Sequence, residues 1–270
     1  MRTNLTFILL ILITLFSCGN ILNGGDEIDY RQEIRSFVQS ISENAKSQNS
    51  EFYIIPQNGH GLLLKNGEVD RTYLSALDGL ARENLFFGYT DDDQPTPAAV
   101  TNTMLQRLNI GKQAGKTILV TDYCYTPFKM SQSYSQNQAL GYLSFAAPDR
   151  DLKVIPSFPS TLPGLNSNVI TQLSEARNFL YLLNKSEFET REAFIEAIQN
   201  TNYDVLITDA FYDSEIFTAE EVNQLRQKAN GGQRLVISYM SIGEAEDYRF
   251  YWQDEWDENE PEWLVEENPE

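Results

Sequence analysis

QRLVISYMSIGEAEDYRFYW, residues 233–252, passes from an apolar strand pattern straight into acids, aromatics and an arginine. LVIS (235–238) reads as a buried strand, and Tyr239, Ser241, Glu244 and Arg249 follow it closely. Ser241-Ile-Gly-Glu244 also fits a capping box, with Glu244, Glu246 and Asp247 in a first helical turn that favours negative charge. Capping accounts for the acids but not for Tyr239 or Arg249.

The pattern recurs along the chain. KTILVTD (116–122) ends in Asp122 ahead of Tyr123, and YDVLITD (203–209) ends in Asp209. EFYIIP (51–56) is followed by Gln57 and Asn58, and LDGLAR by Glu83 and Asn84. LSALDG (74–79), GYLSFAA (141–147) and RNFLYLL (177–183) are further strand-like runs. Between them lie helical patterns at 30–47, 96–113, 186–201 and 218–230, the third opening with a Ser186/Glu189 capping box. Residues 148–170, rich in Pro and Ser, read as a long loop.

This alternation predicts an α/β protein with a parallel sheet and crossover helices. The length suits one TIM-type (β/α)8 barrel, typically about 250 residues. In such a barrel all strand carboxyl ends face one way, so the polar strand-end residues would gather at one mouth. About seven strands are legible, one short of the eight a closed barrel needs.

MRTNLTFILLILITLFSC (1–18) has one early arginine, an apolar run from Phe7 to Phe16 and a lipobox-like Leu15-Phe16-Ser17-Cys18. The run is shorter than the about 20 residues that span a bilayer. We read 1–17 as a signal peptide, Cys18 as the lipidation site and 18–29 as a tether, with an ordinary secretory signal as the alternative. The expected location is a bacterial cell envelope, with the membrane touched through the lipid alone. Cys124 is the other cysteine, so no intrachain disulfide is expected. The net charge of −19 repels phosphate backbones, which excludes nucleic acid as an expected partner.

Carboxylates and amides with Tyr, Trp and Phe nearby suit a sugar site, where two carboxyl groups flank the glycosidic bond and aromatic faces hold the ring. A strand-end aspartate can equally cap a helix or form an Asx turn. His60 is the sole histidine, which removes zinc motifs of the His-Glu-x-x-His kind. No Gly-x-Ser-x-Gly elbow, Walker loop or dinucleotide fingerprint appears, so neither a cofactor nor a metal is expected.

YMSIGEAEDYRFYW, with the Trp and Pro spacing of EWDENEPEWLVEENPE (255–270), resembles a signature of the polygalactosaminidase-like glycoside hydrolases, extracellular barrel proteins. FYIIPQNG, LDGLARENLFFGY, ILVTDY and YDVLITD resemble further blocks, and together they cover most of 30–270. The resemblance implies a single barrel domain over 30–270 with its halves exchanged, a circular permutation. Residues 30–150 match the usual second half and 177–270 the usual first, with the loop at 148–176 as the joint. It also implies that an Asp-Gly-Val-x-x-Asp strand of the family is missing.

By resemblance Glu83 is the leading catalytic carboxyl, and Asp209 the second candidate. Gln57, Asn58, Asn84, Asp122, Tyr123, Tyr239, Ser241, Glu244 and Arg249 are expected to bind substrate. The implied partner is a polysaccharide or oligosaccharide, such as an α-1,4-linked galactosamine polymer. A non-catalytic carbohydrate-binding lipoprotein on a degenerate barrel is the alternative.

Overall fold

The computed structural model describes residues 28–247 and 251–264, together with the backbone of Ile8–Leu12. Among the described residues twelve strands form in chain order: β1 (Ile8–Leu12), β2 (Ile54–Gln57), β3 (Leu64–Lys65), β4 (Glu68–Val69), β5 (Gly79–Glu83), β6 (Thr117–Tyr123), β7 (Leu143–Ala147), β8 (Phe179–Tyr181), β9 (Val205–Asp209), β10 (Phe211–Tyr212), β11 (Glu215–Ile216) and β12 (Leu235–Ser241). The helices are α1 (Tyr30–Gln48), α2 (Arg71–Ala76), α3 (Ala98–Gln113), α4 (Pro127–Ala139), α5 (Arg191–Gln199) and α6 (Ala219–Leu225). β3–β4 and β10–β11 are two-stranded hairpins at the surface. The other eight strands form one parallel sheet in the order β7-β6-β5-β2-β1-β12-β9-β8.

Laid flat, eight strands would hold the two edges roughly 34 Å apart, at about 4.8 Å per spacing. Here the edges meet: Phe145 of β7 and Phe179 of β8 have ring centroids 5.7 Å apart. The sheet is therefore strongly curled, although no hydrogen-bonded ladder joins β7 to β8 among the described residues. The seam lies across the connection that contains 148–176. The strand count differs from the expected seven. The eighth is Ile8–Leu12, cut from the run read as a leader, with Leu10 registered against Ile55 on one side and Tyr239 on the other. Cys18 and most of the tether lie outside the described residues.

Strand alternation sorts the core into two layers. Ile55, Ala81, Leu119, Phe145, Phe179, Ile207 and Ile237 point into the curl and pack together. Ile54, Leu80, Ile118 and Val120 point outward against Val38, Met104 and Leu108 of α1 and α3.

Four local expectations are corrected. LSALDG does not form a strand: the Asp70 carboxylate accepts the Tyr73 N–H at 2.9 Å and caps α2, and the strand begins at Gly79. Its Asp78 accepts the Ile54 N–H at 2.7 Å and serves as the turn. Ser186 caps no helix, because α5 starts at Arg191 under Thr190, whose hydroxyl accepts from Ala193 N. Residues 242–247 form bends and a turn rather than the helix that the Ser241/Glu244 spacing suggested. The predicted helix at 218–230 shortens to α6, with the Thr218/Glu221 capping box formed at its start. Helix α4 was not legible at all, since PFKMSQSYSQNQA has few apolar residues and buries Ser133 and Asn137.

Candidate active site

Glu83 ends β5 on the inward face, and its neighbours hold both carboxylate oxygens. Asn58 Nδ2 donates to Oε2 at 2.7 Å, and the Tyr123 hydroxyl donates to Oε1. Asn58 Oδ1 accepts the Glu83 backbone N–H at 3.2 Å, so this one side chain ties both ends of the glutamate. It does so from a left-handed backbone position, φ 60°, which asparagine adopts more readily than most residues. Tyr181, at the end of β8, completes the cluster. It is buried, bonds the Gln57 side chain and lies within electrostatic reach of Glu83 and Tyr239. Burial, and then the nearby carboxylate, push the Tyr123 and Tyr181 hydroxyls well above the usual phenol range. Both therefore remain protonated donors across the ordinary pH range.

A loop closes over this cluster. Gly88 has φ 100°, and a Cβ there would fall 2.7 Å from Asn84 Oδ1 and 2.9 Å from Tyr123 Cβ, so only glycine fits. Arg150 holds the loop from above: Nη2 donates to Gly88 O at 2.7 Å and Nε to Asp92 Oδ1 at 2.9 Å. The guanidinium carbon sits 4.0 Å over the Tyr123 ring, a cation–π contact.

Asp122 takes a different place from the one expected. On alternation it faces outward, and it is fully buried beneath α4. Its Oδ2 accepts from Ser133 Oγ at 2.7 Å and Asn137 Nδ2 at 3.2 Å, and its Oδ1 from the backbone of Phe86 and Phe87 at 2.8 and 3.2 Å. It cannot touch a ligand at the mouth, and instead anchors the chain just after Glu83 from below. Burial raises its carboxyl above the ordinary range against the pull of these four bonds.

Asp93 anchors the same region by holding the residues that lead into α4. It accepts from the backbone of Tyr125 and Thr126 at 3.0 and 2.9 Å, from Thr126 Oγ1 at 2.6 Å and from Lys129 Nζ at 2.9 Å. Burial alone would raise its carboxyl, but these bonds outweigh it and hold the group at about 2. A depressed carboxylate stabilises the fold in full above about pH 4, and the contribution is lost as pH falls through about 2. Thermal melts between these limits should show that loss in the wild type and a flatter profile in Asp93→Asn. Asp93→Ala should cost about 1–3 kcal/mol at neutral pH, as the loss of hydrogen bonds to a charged group does.

The remaining expected residues divide. Gln57, Asn58 and Tyr123 join Glu83, and Tyr239 stands beside Tyr181. Asn84 follows Glu83 with φ 59°, and its backbone pairs with Thr121 and Thr96. Ser241 ends β12 half-buried, while Glu244 is exposed beyond it. Arg249 lies outside the described residues. Asp209 ends β9, paired in register with Tyr239. Its Oδ1 accepts the Phe211 N–H at 3.1 Å, and it lines a cavity of about 490 Å³ with Asn184, Lys185, Glu189 and Tyr212. Asp209 and Glu83 share one end of the sheet but stand four strands apart in it. His60 is buried and neutral, its imidazole lowered to about 3 by burial and by Arg82 and Arg107. Tyr181 and Arg150 were missed. Tyr181 ends a strand like the others and the same rule would have found it, whereas Arg150 sits in a loop with no periodic signal.

No protein-family model matches the chain. It is 37% identical over 108 residues to an uncharacterized protein of Methanocaldococcus jannaschii, covering 39% of this chain and 30% of that one. It is 34% identical over 115 residues to an uncharacterized protein of Deinococcus radiodurans, covering 43% and 35%. A Thermotoga maritima protein, also uncharacterized, is 33% identical over 72 residues, covering 27% and 22%. The matched parts thus span about a third or less of these relatives' length.

Proposed function

We propose that the chain is a glycoside hydrolase of the polygalactosaminidase-like kind, with Glu83 as the reacting carboxyl. The observation that carries the reading is the Glu83 carboxylate at a strand end, bonded by Asn58 and Tyr123 and backed by Tyr181 and Gln57. A carboxyl among phenol and amide donors is suited to proton transfer to a glycosidic oxygen. Exposed aromatics after β5 and β6 support it further: Tyr89 and Tyr125 on the loops and Phe128 in the first turn of α4 offer ring faces to a pyranose at the same end of the sheet. Asp209 is the second carboxyl of this proposal, although its position across the sheet suits substrate contact as much as chemistry. The test is release of reducing ends from an α-1,4-linked galactosamine polymer by the purified chain. Binding to glycans without product would favour the carbohydrate-binding reading instead.

The barrel is part of the same proposal. Its support is the meeting of Phe145 with Phe179 and the place of Tyr181, five strands from β5 in sheet order yet within electrostatic reach of Glu83. The strand order read around the curl is the chain order, as in a (β/α)8 barrel, with the unladdered seam at β7–β8. In the full chain Ile8–Leu12 supplies the stave between β2 and β12. Leu10→Pro removes one ladder N–H and should lower stability by about 1–3 kcal/mol in urea unfolding of the unprocessed chain. An unchanged midpoint would place the segment outside the sheet. Export and anchoring at Cys18 are proposed from the leader layout. A chain cleaved there no longer carries β1, so the mass of the purified protein distinguishes the two fates of the segment.

A further inference from the structure

Arg82 lies on the opposite face of β5 from Glu83, turned toward α3 and the short 3-10 helix His60–Leu63. His60 there is 5% exposed; its ring bonds the Ala81 backbone, and its Nε2 has no hydrogen-bond partner among the described residues. The Arg82 Nε is likewise buried without one. Arg107, exposed on α3, lies within electrostatic reach of both. Next to His60, at Gly61, a Cβ would fall 3.0 Å from Arg31 Nη2 and 3.8 Å from Arg107 Nη1, so two guanidinium groups converge on this point from α1 and α3. Arg31 Nη2 also donates to Gly61 O at 2.7 Å. Among the described residues none of these three arginines is ion-paired with a carboxylate.

That arrangement runs against the composition of the chain. With 39 acidic residues against 20 basic ones, the three neighbouring arginines still lack a carboxylate in direct contact among the described residues, and Glu83 and Asp122 act on Arg82 only at longer range. Buried cations and buried polar atoms are costly without a partner, and orphans of this kind call for an ion or a water. We propose that Arg82 and Arg107, with Arg31 at the rim and the neutral His60 ring beside them, bind a small tetrahedral oxyanion, phosphate or sulfate, on the helix side of the sheet. Guanidinium forks match such oxygens in pairs, and their planar donors are the usual choice for this recognition. The exposed Arg107 leaves one side open to solvent. The site does not use Glu83, which points to the opposite face of the strand, although that carboxylate lies within electrostatic reach of Arg82.

The chain's single histidine makes the test direct, since its ring gives one histidine signal with no assignment ambiguity. The full chain is titrated with inorganic sulfate, and separately with inorganic phosphate, against chloride at matched ionic strength. A saturable shift of the His60 ring resonance with either oxyanion, absent with chloride, is expected. Arg107→Gln, at an exposed helical position that leaves the fold intact, should weaken the apparent affinity about tenfold, the loss of one charge-assisted hydrogen bond. Arg82→Gln should weaken it at least as much. A shift that grows without saturation and matches chloride overturns the site, as does saturation with unchanged affinity in Arg107→Gln.

Discussion

Glu83→Gln is expected to lower turnover on a competent polymer by about 10²–10⁴-fold, the range that a positioned acid–base group contributes. The replacement is nearly isosteric, so the Tyr123 hydroxyl can still donate to the remaining carbonyl oxygen. The amide nitrogen would replace Oε2, which now accepts from Asn58 Nδ2, and two donors would then face each other. Asn58 is not free to turn over without loss, because its Oδ1 accepts the Glu83 N–H. The cost is local, about the worth of one hydrogen bond, and the cluster stays assembled. The expected signature is therefore a fall in kcat with KM little changed, and a melting temperature close to that of the wild type. Turnover equal to wild type would remove Glu83 from the chemistry, and with it the hydrolase proposal.

Lys228→Met should have the largest effect on stability. Lys228 Nζ and Asp204 Oδ1 are 2.9 Å apart, and both side chains are fully buried. Asp204 also accepts from Asn166 Nδ2 and from the Arg177 backbone N–H at 2.8 Å, and Lys228 donates to Asn166 O at 3.1 Å. The pair thereby fastens the long loop ahead of β8 to β9 and to the end of α6. Removing the lysine leaves a buried carboxylate without its counter-charge, which typically costs about 3–5 kcal/mol. The urea midpoint reports it directly. Asp204→Asn in the Lys228→Met background should recover part of the loss, since the stranded charge is then gone. No recovery would show that the loss came from packing.

Several elements were legible because their cause is local. The runs ILVTD and VLITD are apolar on both sides, as strands covered on both faces must be, and they form β6 and β9. Thr218 and Glu221 announce α6 by reciprocal capping within four residues. Elements whose cause is distant were misread. LSALDG carries strand-like residues, yet Asp70 caps a helix through them and Asp78 serves a strand elsewhere in the chain. Helix α4 buries serine and asparagine because Asp122 needs their donors, and nothing in its own period says so.

The candidate site divides in the same way. That Glu83, Asn58, Gln57, Tyr123 and Tyr239 stand at one end follows from strand period and a shared direction, which any parallel sheet imposes. Which face each occupies follows from alternation, and that one-residue difference parts Glu83 from Arg82 and Tyr123 from Asp122. Amino-acid order thus determined the α/β class, the parallel direction and most strand ends, all set by interactions between near neighbours. The tertiary structure alone decided the curl that carries Tyr181 to Glu83 and the burial of Asp122. It also decided the gathering of His60 with arginines from three elements. Those depend on which surfaces meet across the sheet, and contacts between segments far apart in the chain leave no periodic trace within either one.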